Sequence, residues 1–182
     1  LKRPNNLSQP DDMIVASYIG RPATQDDYNR NLFMLADYYN AKIGFENDRG
    51  EIIAYAKRHR KLHRLQPEFE MLDKKELQSR RVRRTYGMHM TEARKRQGEI
   101  YIRDWLNSLR GVDDQGKKFL NLQKIYDPAL IQELIKFNHK GNFDRVMALM
   151  IGMYHTRELY NAEVTDIYKD RAHDEFFNRQ YF

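Results

Sequence analysis

The apolar positions change their period several times along the chain, and each change predicts an element. Residues 13 to 19, "MIVASYI", are a run of β-branched and aromatic residues bounded by Gly20 and Pro22, the pattern of a mostly buried strand. From Thr24 onward the spacing becomes helical: Tyr28, Leu32, Leu35, Ala36 and Tyr39 recur on one face behind a threonine cap. "KIGFE", residues 42 to 46, returns to an apolar alternation after a very short connection, so the expected order is strand, helix, strand. Gly50 then opens a second helix with Ile52, Ile53 and Ala56 on one side. "KRHRKLHR", residues 57 to 64, is expected to make the rest of its surface positive.

Periodicity fades over residues 66 to 90, which read as an irregular, solvent-facing segment carrying a second basic cluster, "SRRVRRTYG". Thr91 is expected to cap a longer helix with Ile102, Trp105, Leu106 and Leu109 inward, ended by the turn residues of "GVDDQGKK". Asp127 and Pro128 form an N-cap and first-residue pair ahead of "ALIQELIKF", and Gly141 with Asn142 breaks that helix. A last helix carries Phe143, Val146, Met147, Met150 and Tyr154. The end, "HDEFFNRQYF", reads as a partner-binding or frayed tail rich in aromatics.

Composition narrows the class. At 182 residues with 41% hydrophobic positions, one domain is the default, here placed at residues 1–165 with a tail at 166–182. Thirty-two Lys and Arg against 26 Asp and Glu give +6, and a pI near 9.4 favours polyanionic partners. The absence of cysteine excludes disulfides and thiolate zinc sites. No apolar run approaches the roughly 20 residues that span a bilayer, so a soluble chain without a membrane partner is expected. The first residue is Leu1, and no signal peptide pattern follows, which suggests an internal piece of a longer chain. No G-x-x-x-x-G-K phosphate loop occurs, so no nucleotide site is expected.

Two acids stand out. Glu46 closes the "KIGFE" strand, and Asp144 sits in the first turn of an otherwise apolar helix, less than one turn before Val146 and Met147. Each has an ordinary reading: Glu46 accepts backbone hydrogen bonds in the turn "ENDRG", and Asp144 interacts favourably with the helix N-terminus. Asp48 reads as a turn residue and, more weakly, as a support for Glu46. His59 and His63 are spaced to share a helix face, but no H-E-x-x-H arrangement follows His59, so they read as solvated members of the basic face. His155 reads as structural, and His89 has no assigned role.

"VASYIGRP", "YYNAKIGFEN", "DPALIQELI" and "GNFDRVMALM", in that order, resemble the nuclease domain of the large terminase subunit of tailed bacteriophages, the viral DNA-packaging motor. The resemblance covers residue 13 to about residue 160. It implies an α/β, ribonuclease H-like fold: a mixed central sheet flanked by helices, here lacking its first strand. It implies an endonuclease that hydrolyses double-stranded DNA with two Mg²⁺ or Mn²⁺ ions held by three acids. Glu46 matches the second acid and Asp144 the third, as catalytic and metal-binding residues.

The family's first-strand aspartate has no counterpart. Asp11 and Asp12 precede the strand in a loop and are poor substitutes, which leaves the activity of this piece in question. The first strand is expected to belong with the ATPase portion. The resemblance also implies a portal protein, a small terminase subunit, a procapsid and the host cytoplasm.

The chemistry suits such a site. Phosphodiester cleavage builds negative charge on the attacking and leaving oxygens, which two ions about 3.5–4 Å apart stabilise, and such hard cations favour carboxylate oxygens. The basic clusters supply Lys57, Arg58, Arg60, Lys61 and Arg64, then Arg80, Arg81, Arg83 and Arg84, with Lys117 and Lys118 extending the track. Such cations neutralise phosphates without reading sequence, although a charge run is also the ordinary mark of a solvated face. Two rival readings keep parts of this picture: a resolvase-type nuclease acting on branched DNA, and a catalytically silent module that binds DNA or docks on the portal.

Overall fold

The computed structural model describes residues 13–47, 50–69, 86–112, 114–138 and 141–172, with the side chains of the last helix described as far as residue 158. Helix α1 (Gln25–Tyr38) begins where the sequence requires, because the Thr24 hydroxyl accepts the Asp27 N–H at 3.1 Å. It buries Asn29, Phe33 and Ala36, with Tyr28, Leu32 and Leu35 half-buried beside them. Helix α2 (Glu51–Arg58) starts after Gly50, whose φ of 71° lies in the left-handed region that glycine enters without strain. Its buried residues, Tyr55 and Ala56, meet Phe33 and Ala36 of α1, together with Ile43 and Leu65, in one apolar cluster.

A second, larger cluster is built by α3 (Glu92–Asn107), α4 (Pro128–Lys136) and α5 (Asp144–Ala172). Thr91 caps α3 by accepting the Arg94 N–H, and Asp127 caps α4 by accepting the N–H groups of Ala129 and Leu130. Ile102 and Trp105 of α3, Leu130 of α4, and Val146, Leu149, Met150, Ile151, Met153 and Tyr154 of α5 are all buried here. The α3–α5 contact is close because residue 98 is glycine: a Cβ there would lie 2.1 Å from Met150 Cγ. Tyr154 fixes the register by donating its hydroxyl to the Arg94 carbonyl at 2.9 Å.

Strands β1 (Leu109–Val112) and β2 (Lys118–Leu120) form an antiparallel hairpin with a register shift between Leu109 and Gly111. Buried Asn121 ties it to α3, donating to the Trp105 carbonyl and accepting from Arg110 at 2.9 Å in both cases. The class is therefore mixed α and β, with five helices and one two-stranded sheet among the described residues. Three further bridges between described residues are isolated: Ile43 with Leu65, Glu46 with Met88, and Pro67 with Tyr86. None of the described helices is long and apolar enough to cross a membrane.

Several expectations change. "MIVASYI" forms no strand beyond a bridge position at Met13, and Ala16 to Ile19 are exposed. Its polar groups find side-chain partners instead: Ser17 donates to Asp127 at 3.1 Å, and Tyr18 accepts from Asn31 at 3.0 Å. The helix beginning at Glu92 stops at Asn107, so Leu109 belongs to β1 and is 56% exposed rather than inward. Residues 66–69 and 86–90 are not a solvent-facing stretch, since Phe69, Met88 and Met90 join the larger core. Residues 70–85 lie outside the described part, as do 1–12 and the "HDEFFNRQYF" tail. Helix α5 runs through residue 165 to Ala172.

Candidate active site

Glu46 owes its position to a short backbone ladder. Met88 N–H donates to the Phe45 carbonyl at 3.0 Å, and Asn47 N–H donates to the Met88 carbonyl at 2.8 Å, so Glu46 lies opposite Met88. Side chains alternate along this segment. Ile43 and Phe45 turn into the smaller cluster, while Gly44 and Glu46 share the opposite side. Helix α5 approaches on that side, because a Cβ on Gly44 would sit 3.0 Å from Ile151 Cγ2. The alternation therefore aims Glu46 toward the helix that begins with Asp144.

Asp144 is the first residue of α5, where the Met147 N–H closes the first turn on the Phe143 carbonyl at 2.9 Å. A carboxylate there is favoured by the partial positive charge of the helix terminus. Its neighbour Arg145 anchors the turn to α4: the Arg145 N–H donates to Glu133 at 3.0 Å, and its guanidinium donates to the same carboxylate. Both Asp144 and Glu46 are exposed. They line one cleft of about 630 Å³ between the two apolar clusters.

That cleft holds two charged groups that the sequence pattern did not single out. Glu51, the first residue of α2, adds a third carboxylate, and Lys95 of α3 is the one Lys or Arg among its described lining residues. The local signals were Gly50 preceding an acid and a lysine in the first turn of a predicted helix. Asn47, also overlooked, is buried and donates to the Tyr86 carbonyl at 2.7 Å, which holds the turn after Glu46. Asp48 lies outside the described residues.

A larger cleft of about 920 Å³ touches Asp144 but not Glu46. Its other acids, Asp127 and Glu133, are engaged by Ser17 and Arg145. The smaller cleft is thus the one that unites the two candidate acids. Its donors are hard oxygens, the kind that Mg²⁺ and Mn²⁺ take. No group of three or more His, Asp or Glu side chains is gathered at ligand spacing among the described residues.

The basic positions divide. "KRHRKLHR" is not one helix face: α2 ends at Arg58, and Leu62–Arg64 form a separate 3₁₀ turn. Arg58 pairs with Asp26 at 2.8 Å, Lys61 with Asp37 at 2.6 Å, and Arg64 with Asp37 at 2.8 Å and Asn40 at 2.7 Å. Lys61 and Arg58 also lie 5.9 Å from the ring centres of Phe33 and Tyr55, respectively. These three cations fasten α2 and the turn after it to α1. The open positive face expected of them is therefore partly neutralised.

Asp37 responds in kind, its carboxyl held below the ordinary value of 3.8 chiefly by the hydrogen bond from Lys61, then by Arg64, against the opposing effect of desolvation. Lys57 and Arg60 are exposed, as are Lys117 and Lys118 at the hairpin. Arg80, Arg81, Arg83 and Arg84 lie outside the described residues. His59 and His63 are exposed, with the His59 ring tilted against that of Tyr55 at 4.2 Å between centroids. The His155 and Phe69 rings meet edge to face with centroids 6.3 Å apart, and the His89 carbonyl accepts from Arg94. The chain matches no protein-family model, no curated protein and no solved structure.

Proposed function

We propose that the chain is a divalent-metal-dependent endonuclease domain that cuts double-stranded DNA, of the ribonuclease H-like kind found in viral packaging motors. The observation that carries this reading is the cleft shared by Glu46 and Asp144, two acids about half the chain apart that the resemblance aligns with metal-binding positions. Glu46 and Asp144 would hold Mg²⁺ or Mn²⁺, with water and phosphate oxygens completing the coordination. When bound, such ions supply an activated water and charge stabilisation for the leaving oxygen. The exposed cations Lys57, Arg60, Lys117 and Lys118 would attract the DNA backbone without selecting a sequence. Portal protein, small terminase subunit, procapsid and host cytoplasm complete the proposal.

Charge-neutral Glu46→Gln and Asp144→Asn test it. Each is expected to lower Mn²⁺-dependent cutting of linear duplex by at least about a hundredfold, with DNA affinity in a gel shift nearly unchanged. Cutting at the parental rate in both variants overturns the assignment. Faster cutting of four-way junctions than of linear duplex would redirect it to the resolvase-type activity.

A second reading, a catalytically silent module that binds DNA or docks on the portal, is favoured by the ligand count. Two matched acids and Glu51 line the cleft without gathering as a three-acid group among the described residues. DNA binding without cleavage in Mn²⁺ is its signature.

A further inference from the structure

Lys95 occupies an unusual place for a lysine. It lies in the first turn of α3, where its N–H closes that turn on the Thr91 carbonyl at 2.9 Å. A cation is electrostatically disfavoured at this end of a helix, because the unpaired N–H groups already give it positive character. Among the described residues its ion pair is with Glu92 and spans 3.4 Å, longer than the roughly 2.7–2.9 Å of a strong charge-assisted bond. The Glu92 side chain is 65% exposed, whereas that of Lys95 is 28% exposed. The partner is thus weak and wet, and the ammonium lines the cleft that Glu46 and Asp144 share.

We infer that Lys95 is the residue that grips a backbone phosphate of the nucleic acid in this cleft. The three carboxylates there repel an anion, so a phosphate entering the cleft needs local positive charge in addition to any bound ion. Among the described lining residues, Lys95 alone carries it. The surroundings reinforce its effect: Glu51 begins α2 and Asp144 begins α5, so two further helix N-termini line the same cleft. A lysine suits the task because its compact ammonium acts as a point charge and leaves a weak partner readily. This assignment rests on the nucleic-acid reading above and adds the group that contacts the phosphate.

The test is calorimetric titration of thymidine 3′,5′-bisphosphate, a fragment of the DNA backbone, into the whole chain in Mg²⁺ buffer. Lys95→Met keeps the apolar stem and removes the charge, and is expected to weaken binding by about tenfold or more. Lys95→Arg keeps the charge and is expected to stay within about threefold of the parent. It also guards against mistaking a folding defect for a lost contact. Unchanged affinity in Lys95→Met, equal loss in both variants, or no binding by the parent overturns the inference. Its failure is distinguishable from that of the nuclease reading. Lys95-dependent binding without any metal-dependent cutting would sink the nuclease and leave the phosphate contact standing. Normal cutting with Lys95-independent binding would do the reverse.

Discussion

The two walls of the cleft are held together by different forces. The α3–α5 side is an apolar core in which Met88 and Met150 are fully buried and α5 contributes six buried side chains. Burial of each such side chain stabilises the fold by about 1.5–3 kcal/mol. The α1–α2 side has a smaller cluster of six buried residues, and its perimeter is fastened by Asp26 and Asp37 to Arg58, Lys61 and Arg64. Exposed pairs of this kind contribute little in solvent and are screened by salt. One wall should therefore be rigid and insensitive to ionic conditions. The other, which carries Glu46 and Glu51, should loosen first.

The largest expected effect lies in the rigid wall. Met150→Ala should cost about 2–5 kcal/mol of unfolding free energy, as for other fully buried methionines, read by urea denaturation. A smaller cost than that of Asp37→Asn would break the comparison.

The seam between the walls comes next. Gly87 has φ of 70°, and a Cβ there would lie 2.8 Å from the Phe45 carbonyl oxygen. Gly87→Ala is expected to cost about 1–3 kcal/mol through strain alone. It should also displace the ladder that positions Glu46, which amide exchange at Asn47 and Met88 would report.

Gly98→Ala sharpens the picture of the rigid wall by changing sign with context. In the parent chain the new methyl collides with Met150, an overpacking cost of about 1–3 kcal/mol offset by about 1 kcal/mol of helix propensity. In a Met150→Ala background the same methyl fills vacated space and should stabilise. Additive behaviour of the two substitutions in denaturation would show that the side chains do not compete for one space.

The smallest effect is Asp37→Asn. Because the folded carboxyl titrates below its ordinary value of 3.8, its contribution is complete above that value. It is lost as pH falls through the still lower folded-state value. Parent and variant melting curves should differ slightly at neutral pH and low salt, and converge both in strong acid and at high salt. A difference that survives high salt would mean that the loose wall is not held by exposed ion pairs.

Local signals were legible where the governing interaction is itself local. Thr24, Thr91 and Asp127 cap helices as their residue types require, and Gly50 opens α2 with the positive φ that glycine permits. The apolar stripe of α5 was visible in Val146, Met150 and Tyr154. "MIVASYI" shows the opposite case: β-branched and aromatic composition suits a strand, but a strand exists only where a neighbour accepts its backbone bonds. The Ser17 and Tyr18 side chains instead bond to Asp127, far along the chain, and to Asn31 in the following helix. The basic run likewise looked like a free positive face, since Asp26 and Asp37 are remote in sequence from the cations they meet.

The candidate site divides along the same line. Sequence by itself determined which chemical groups are on offer: carboxylates at element ends, a cationic surplus and no thiols. It also determined the side of the "KIGFE" segment on which Glu46 lies, because side-chain alternation is a property of the extended backbone. Tertiary structure alone decided that α5 meets that side at Gly44, that Asp144 shares a cleft with Glu46, and that Glu51 and Lys95 join them. Those neighbours come from helices separated by tens of residues. Their meeting depends on how two apolar clusters pack, and no short-range period records that.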